Sequence, residues 1–277
     1  MISLPKAQSA AIAAARSVGA LMRRNLHAPK KANATTAHDI KLELDVRSQA
    51  LIERALRRAF PAVAFMGEEG PPADADAPSP PWRWVVDPID GTVNFAYAIP
   101  HACVSIALQH KLSKSNLSTY QDGYQTVLGV VYEPFTNELF TAIRGKPARL
   151  NGKIIRVSPR ARLADAIVSL GSPNSNSALE TALPRLADLA RRARKIRIMG
   201  SAALSLCYVA CGRFDAYLEN GLRLWDIAAG ALLVESAGGH FSCQPIPGTN
   251  TFSLLAANKK LPSQLRNTPP LRSGPLA

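Results

Sequence analysis

Two acids three residues apart, Asp87 and Asp90, close an apolar run in the stretch Trp84-Val85-Val86-Asp87-Pro88-Ile89-Asp90-Gly91-Thr92-Val93-Asn94-Phe95. A buried strand that stops at carboxylates puts them at a sheet edge, where a cleft can form. Pro88 fixes its own backbone and biases Asp87 towards an extended conformation. Gly91 lets the main chain come close to a ligand, and Thr92 adds a hydroxyl. If Gly91-Thr92 opens a helical turn, its amides favour an anion in the same space. Hard oxygen ligands for a divalent cation thus stand beside donors for a phosphate, the makings of metal-assisted phosphate chemistry. Taken alone, an Asp-x-x-Asp with Asp-Pro and Asp-Gly steps is more often a solvated turn. Two further stretches weigh against that: Met66-Gly67-Glu68-Glu69 upstream, and Leu224-Trp225-Asp226-Ile227-Ala228-Ala229-Gly230 far downstream.

Gly-Glu-Glu, Asp-Pro-Ile-Asp-Gly-Thr-x-Asn-Phe and Trp-Asp-x-Ala-Ala-Gly, in this order, resemble the inositol monophosphatase family, from about Gln8 to about Asn258. The resemblance implies a layered αβαβα sandwich and a magnesium-dependent phosphomonoesterase of small polyol or sugar phosphates such as inositol 1-phosphate. It implies Glu68, Asp87, the Ile89 carbonyl, Asp90 and Asp226 as metal ligands for two or three magnesium ions. The physics agrees, because crowded carboxylates are unfavourable unless cations neutralise them. By resemblance the catalytic residues are Asp45, Thr92 and Glu68, with Thr92 and Asp45 the pair that orients the attacking water. Gly91 and Thr92 amides hold the phosphate, while Ser172, Gly200, Ser201, Ala202, Glu219 and Asp226 meet the rest of the substrate. Asp226 also suits an N-cap, Ser201 a helix cap and Glu219 a surface acid, while Glu69 suits either a partner supporting the metal ligands or a surface acid. Two departures touch the surroundings of Asp45: Lys41-Leu42 stands where the family has Val-Thr, and Gln49 where it has Glu. Fructose-1,6-bisphosphatases, histidinol phosphatases and bisphosphate nucleotidases share these motifs, and the family's habit of dimerising implies a homodimer.

The elements that must position these groups follow from periodicity. Ile12, Val18, Leu21 and Met22 lie at helical spacing in a first helix. A second helix begins at Asp45 and ends at Pro61. Strands are expected at 63–66, 84–90, 103–108, 126–132 and 138–143, then a hairpin turning at Asn151-Gly152. Strand and helix then alternate: strands at 166–170, 195–199, 215–218 and 252–257, helices at 177–192, 201–212 and 226–237. The fold class is α/β with an α+β N-terminal half. An N-terminal subdomain is expected over 1–158, a C-terminal one over 159–265, and a flexible tail over 266–277, the Pro-rich basic end fraying from about Leu261. Residues 70–81, rich in Pro, Ala and Asp, read as a mobile flap beside the metal site.

Composition bounds the rest. A chain of 277 residues with 47% hydrophobic content can bury a large core. No apolar run approaches the ~18 residues needed to cross a bilayer, so a soluble protein is expected, and the cysteine usage points to a cytoplasmic one. Four scattered cysteines read as core packing in a reducing compartment, not as zinc ligands. The acid-free segment before Asp39 matches a transit peptide in composition but fits a retained helix better. A net charge of +13, with runs at Arg23-Arg24, Lys30-Lys31 and 191–197, would draw in phosphorylated substrates. It would also suit nucleic acid, yet no aromatic residues interleave the runs to stack on bases, so nucleic-acid binding is the minority expectation. The rival from another class is a basic regulator that binds RNA or protein and keeps the site as a relic.

Overall fold

The computed structural model describes residues 2–35, 40–70, 80–113, 119–172 and 176–266. Most of the expected flap (71–79) and nearly all of the expected tail (267–277) lie outside them. In chain order the elements are α1 (Leu4–Asn25), β1 (Ala32–Thr35), β2 (Ile40–Leu42), α2 (Glu43–Ala59), β3 (Ala64–Gly67), β4 (Trp82–Asp90) and α3 (Thr92–Ala96). There follow β5 (Cys103–Lys111), β6 (Tyr124–Glu133), β7 (Glu138–Ile143), β8 (Arg149–Leu150), β9 (Lys153–Ile154) and β10 (Ile167–Leu170). The remainder is α4 (Asn176–Arg192), β11 (Lys195–Arg197), α5 (Ala202–Ala210), β12 (Ala216–Leu222), α6 (Leu224–Ser236), β13 (His240–Pro245), β14 (Phe252–Ala257) and α7 (Pro262–Arg266).

Beside the antiparallel two-stranded β1–β2 ribbon, two larger sheets organise these elements. One has seven strands in the order β3-β4-β5-β6-β7-β8-β9, antiparallel apart from the parallel β3–β4 pair. The other has five, in the order β11-β10-β12-β14-β13, and mixes parallel and antiparallel pairs. Side-chain alternation sends the two faces of β4 into different cores: Trp84 and Val86 pack with α1 and α2, Val85 with α5 and α6. Tyr217 and Leu254 of the second sheet close that middle core, while Val168, Ala216 and Leu218 join Leu189 of α4 and Leu265 of α7 in a third. The result is five layers, helix–sheet–helix–sheet–helix. Among the described residues no helix is long and apolar enough to cross a membrane, and the four cysteines are free thiols.

Small residues set how closely these layers meet. A Cβ at Gly19 of α1 would run into the Tyr132 ring of β6. Gly129 of β6 has backbone as its neighbour, so a Cβ there would lie 2.8 Å from the Ala229 carbonyl of α6. Main chain inside a helix cannot swing aside. Gly129→Ala should therefore cost about 1–3 kcal/mol of stability through overpacking. Urea unfolding measures this, and an unchanged midpoint would show that α6 is not seated on β6 as described.

Three expectations need correction. The chain does not fray from Leu261: Leu261 and Leu265 are buried, and Gln264 bonds the Leu163 amide and the Ala161 carbonyl. Strands β1, β2 and β13 are additions, all short or at an edge. Asp226 is not the N-cap of its helix but its third residue, accepting the Arg223 amide at 2.7 Å. Asp45 sits identically in α2, accepting the Leu42 amide at 2.9 Å. An acid at that position reaches back over the first turn and sits in the helix's positive end field.

Candidate active site

Where β4, β10 and β12 end and α3, α5 and α6 begin, the two sheets enclose a cavity of about 450 Å³. Glu68, Asp87, Asp90, Glu219 and Asp226 line it, with Ile89, Gly91, Thr92, Ser172, Gly200, Ser201 and Ala202. Every predicted ligand and substrate residue is thus brought to one space. Asp45 is not a lining residue; it is buried, and its charge still reaches Asp87. Glu69 is held through its backbone, donating to Gln49 at 2.9 Å.

The acids are placed by local structure. Glu68 follows β3 and its amide donates to Val86 of β4 at 3.2 Å. Asp87 accepts the Ile89 amide at 3.0 Å, which bends the strand through Pro88. Asp90 turns towards the start of α5, accepting the Ala203 amide at 2.8 Å, the Ala202 amide at 3.2 Å and the Ser201 hydroxyl. Ser201 also caps α5 by accepting Leu204, so its cap role and its site contact coexist. Thr92 donates its hydroxyl to the Ile89 carbonyl at 2.8 Å, below the turn that Gly91 opens at φ +95°. Glu219 is no surface acid, for it accepts the buried Tyr217 hydroxyl. Gly171 leaves it that room, since a Cβ there would fall on the Glu219 carboxyl carbon.

The electrostatics are lopsided. Burial raises the Asp87 carboxyl well above its ordinary range, and Glu68, Asp90, Asp226 and Asp45 push it further. Asp226 is raised by burial and by Asp90 and Glu68; Asp90 is raised by burial, partly offset by its Ser201 and amide donors. Burial lifts Glu219 to about 8. Among the described residues, five carboxyl groups line the cavity and no lysine, arginine or histidine does, in a chain of net charge +13. Such a donor set fits hard divalent cations. As the side chains lie, no three His, Cys, Asp or Glu among the described residues close into a cage around an ion. A carboxylate bonded to amides, as Asp90 is, can still accept further partners on its remaining lone pairs.

Two polar side chains that the sequence reading left without a role hold the frame. Gln49 bonds the Glu69 amide and packs on Gly67, where a Cβ would collide with its Oε1. Asn94 reaches the His101 carbonyl seven residues on and the Met199 carbonyl of a distant loop. Their acceptors and donors are main-chain atoms, which carry no sequence signature; a short amide next to a glycine turn was the available hint.

Comparison with known proteins places this geometry. The model of the inositol monophosphatase family matches residues 4–261. The Nus factor SuhB of Pseudomonas aeruginosa is 40% identical over 259 residues, 90% of each chain. Inositol monophosphatase 1 of Solanum lycopersicum is 38% identical over 242 residues, 86% of this chain and 84% of that one. The crystal structure of the extragenic suppressor protein suhB from Bartonella henselae superposes with a TM-score of 0.81 at 32% identity, covering 94% of this chain and 96% of the other.

Proposed function

The chain belongs to the inositol monophosphatase family, and on that footing we propose that it is a magnesium-dependent phosphomonoesterase of small polyol or sugar phosphates such as inositol 1-phosphate. The observation that carries this reading is the cavity with five acids and no basic side chain among its described lining residues. A phosphate dianion is repelled from such a space unless cations share it, and the basic remainder of the surface would still steer it there.

Glu68, Asp87, the Ile89 carbonyl, Asp90 and Asp226 would hold the ions. When bound, magnesium supplies Lewis-acid polarisation of the phosphoryl oxygens and lowers the pKa of a water. The chain's own part is orientation. Thr92, fixed by its bond to the Ile89 carbonyl, places the attacking water, with Asp45 supporting the pair from behind the cavity wall, where its charge reaches Asp87. The first amides of α3, after Gly91, have no acceptor within the helix and take the phosphate oxygens. Ser201, Ala202, Ser172 and Glu219 face the hydroxyl-bearing part. At neutral pH a Glu219 carboxyl near 8 carries a proton much of the time, so it can donate to a substrate hydroxyl as well as accept. A homodimer belongs to the same proposal: Val93, Tyr97, Ile99 and Ile198 are exposed apolar residues beside the Gly91 and Gly200 turns. Sedimentation velocity showing a monomer at micromolar concentration would remove it.

Phosphate release from inositol 1-phosphate, fructose 1,6-bisphosphate, histidinol phosphate and adenosine 3′,5′-bisphosphate, with and without magnesium, tests the assignment. Turnover of a polyol phosphate only with magnesium is expected. The rival, an RNA- or protein-binding regulator, draws on the name Nus factor carried by the Pseudomonas relative. RNA binding at physiological salt with no hydrolysis of any of these esters would favour it.

A further inference from the structure

We infer that Asn94 is a positioning residue that fixes the width of the cavity between the Gly91 turn and the Gly200 turn, and thereby the fit of the substrate's hydroxyl-bearing part. The inference rests on the phosphomonoesterase reading for its substrate and on geometry for the rest. Asn94 Nδ2 donates to the His101 carbonyl at 2.9 Å and to the Met199 carbonyl at 2.8 Å, with a longer approach to Gly200 at 3.4 Å. An amide nitrogen has two hydrogens, so its donor capacity is spent on two loops about a hundred residues apart. The main-chain carbonyl of Asn94 accepts the Ile99 amide at 2.8 Å, which fixes the outgoing turn whatever side chain stands at 94.

There is no slack at this junction. Gly91 and Gly200 both hold positive φ, +95° and +73°. A Cβ on Gly91 would stand 2.9 Å from the His101 carbonyl and 3.2 Å from that of Gly200, and one on Gly200 3.1 Å from Asn94. The main chains of the two turns therefore touch, with Asn94 as the polar group between them. Immediately beyond Gly200, Ser201 and the Ala202 and Ala203 amides hold Asp90. The loop thus has two anchors. Asp90 fixes the start of α5, whereas Asn94 fixes where the loop stands relative to α3. Removing Asn94 leaves the first anchor and frees the polyol side of the cavity.

The test compares wild type with Asn94→Ala and Asn94→Asp in the full chain. Asp is nearly the same size but presents an oxygen to two carbonyls, so it should be worse than Ala; a residue that merely fills space would tolerate it. Amide hydrogen exchange over 198–203 should quicken about tenfold in Asn94→Ala, the weight of about one net hydrogen bond, and more in Asn94→Asp, with the central strands unchanged. KM for inositol 1-phosphate should rise about tenfold, while turnover of p-nitrophenyl phosphate, which lacks those hydroxyls, falls no more than about threefold. Wild-type exchange in Asn94→Asp, or equal losses on both esters, overturns the inference. If the wild type hydrolyses neither ester, the phosphatase reading fails by itself, and the exchange comparison still decides whether Asn94 holds the loop.

Discussion

Asp90→Asn should lower magnesium-dependent phosphate release from inositol 1-phosphate by about 10³-fold or more, roughly 4 kcal/mol of barrier. The substitution keeps the shape and removes one charge from the cavity, weakening its hold on a divalent ion. It also mismatches the start of α5. The Ala202 and Ala203 amides and the Ser201 hydroxyl all donate to Asp90, and an asparagine meets them with one oxygen and one donor group. One of the three is then left facing another N–H. The fold itself should survive, because the charge removed is one that burial disfavours and this offsets the mismatch; the metal-free Asp90→Asn variant should melt close to the wild-type temperature. Equal turnover by both proteins, with magnesium making no difference to either, would end the metal-dependent account.

Metal-free protein should lose stability as pH rises from about 5.5 to 8, and magnesium should restore it most at the alkaline end. The sign follows from the raised carboxyls. In the folded state Glu219 holds its proton up to about 8, whereas the unfolded chain releases it near the ordinary 4.5. Between those values the folded state binds more protons, so its advantage is full below the window and vanishes as pH passes through it. Asp87, Asp90 and Asp226, all raised, add to the same slope. Magnesium competes with those protons and stabilises the chain that binds it, by about 2.7 kcal/mol at a hundredfold excess over Kd. For a chain of this size that is roughly 5–10 °C in Tm. Melting curves at pH 6, 7 and 8 with and without magnesium provide the check, with Glu219→Gln flattening part of the metal-free slope. A metal-free Tm that climbs with pH, or a magnesium shift that shrinks, contradicts the cavity's electrostatics.

Much of this molecule could be read from residue order because its signals are local. Strands β5 to β7 announce themselves by apolar runs, and the β8–β9 hairpin by Asn151-Gly152 with both residues at positive φ. The three acidic motifs disclosed four of the five carboxyls that meet in the cavity, and resemblance supplied Glu219. What escaped was non-local or faint. Strand β13, His240–Pro245, mixes polar residues with a proline at an edge and is defined only by its pairing with β14. Helix α7 has five residues, and only the packing of Leu261 and Leu265 on the third core makes it visible. The Gln49 and Asn94 contacts end on main-chain atoms far along the chain, and the Tyr217–Glu219 pair is revealed only once β12 faces Gly171 across the sheet.

Gly171 carries a consequence for how such a cavity can drift over time. Even one methyl group there would evict the Glu219 carboxyl from its seat, although residue 171 need never touch a substrate. A side chain gained at 171 would therefore force the Glu219 carboxyl to swing away or be replaced, reshaping that end of the cavity while Glu68, Asp87, Asp90 and Asp226 stay where they are.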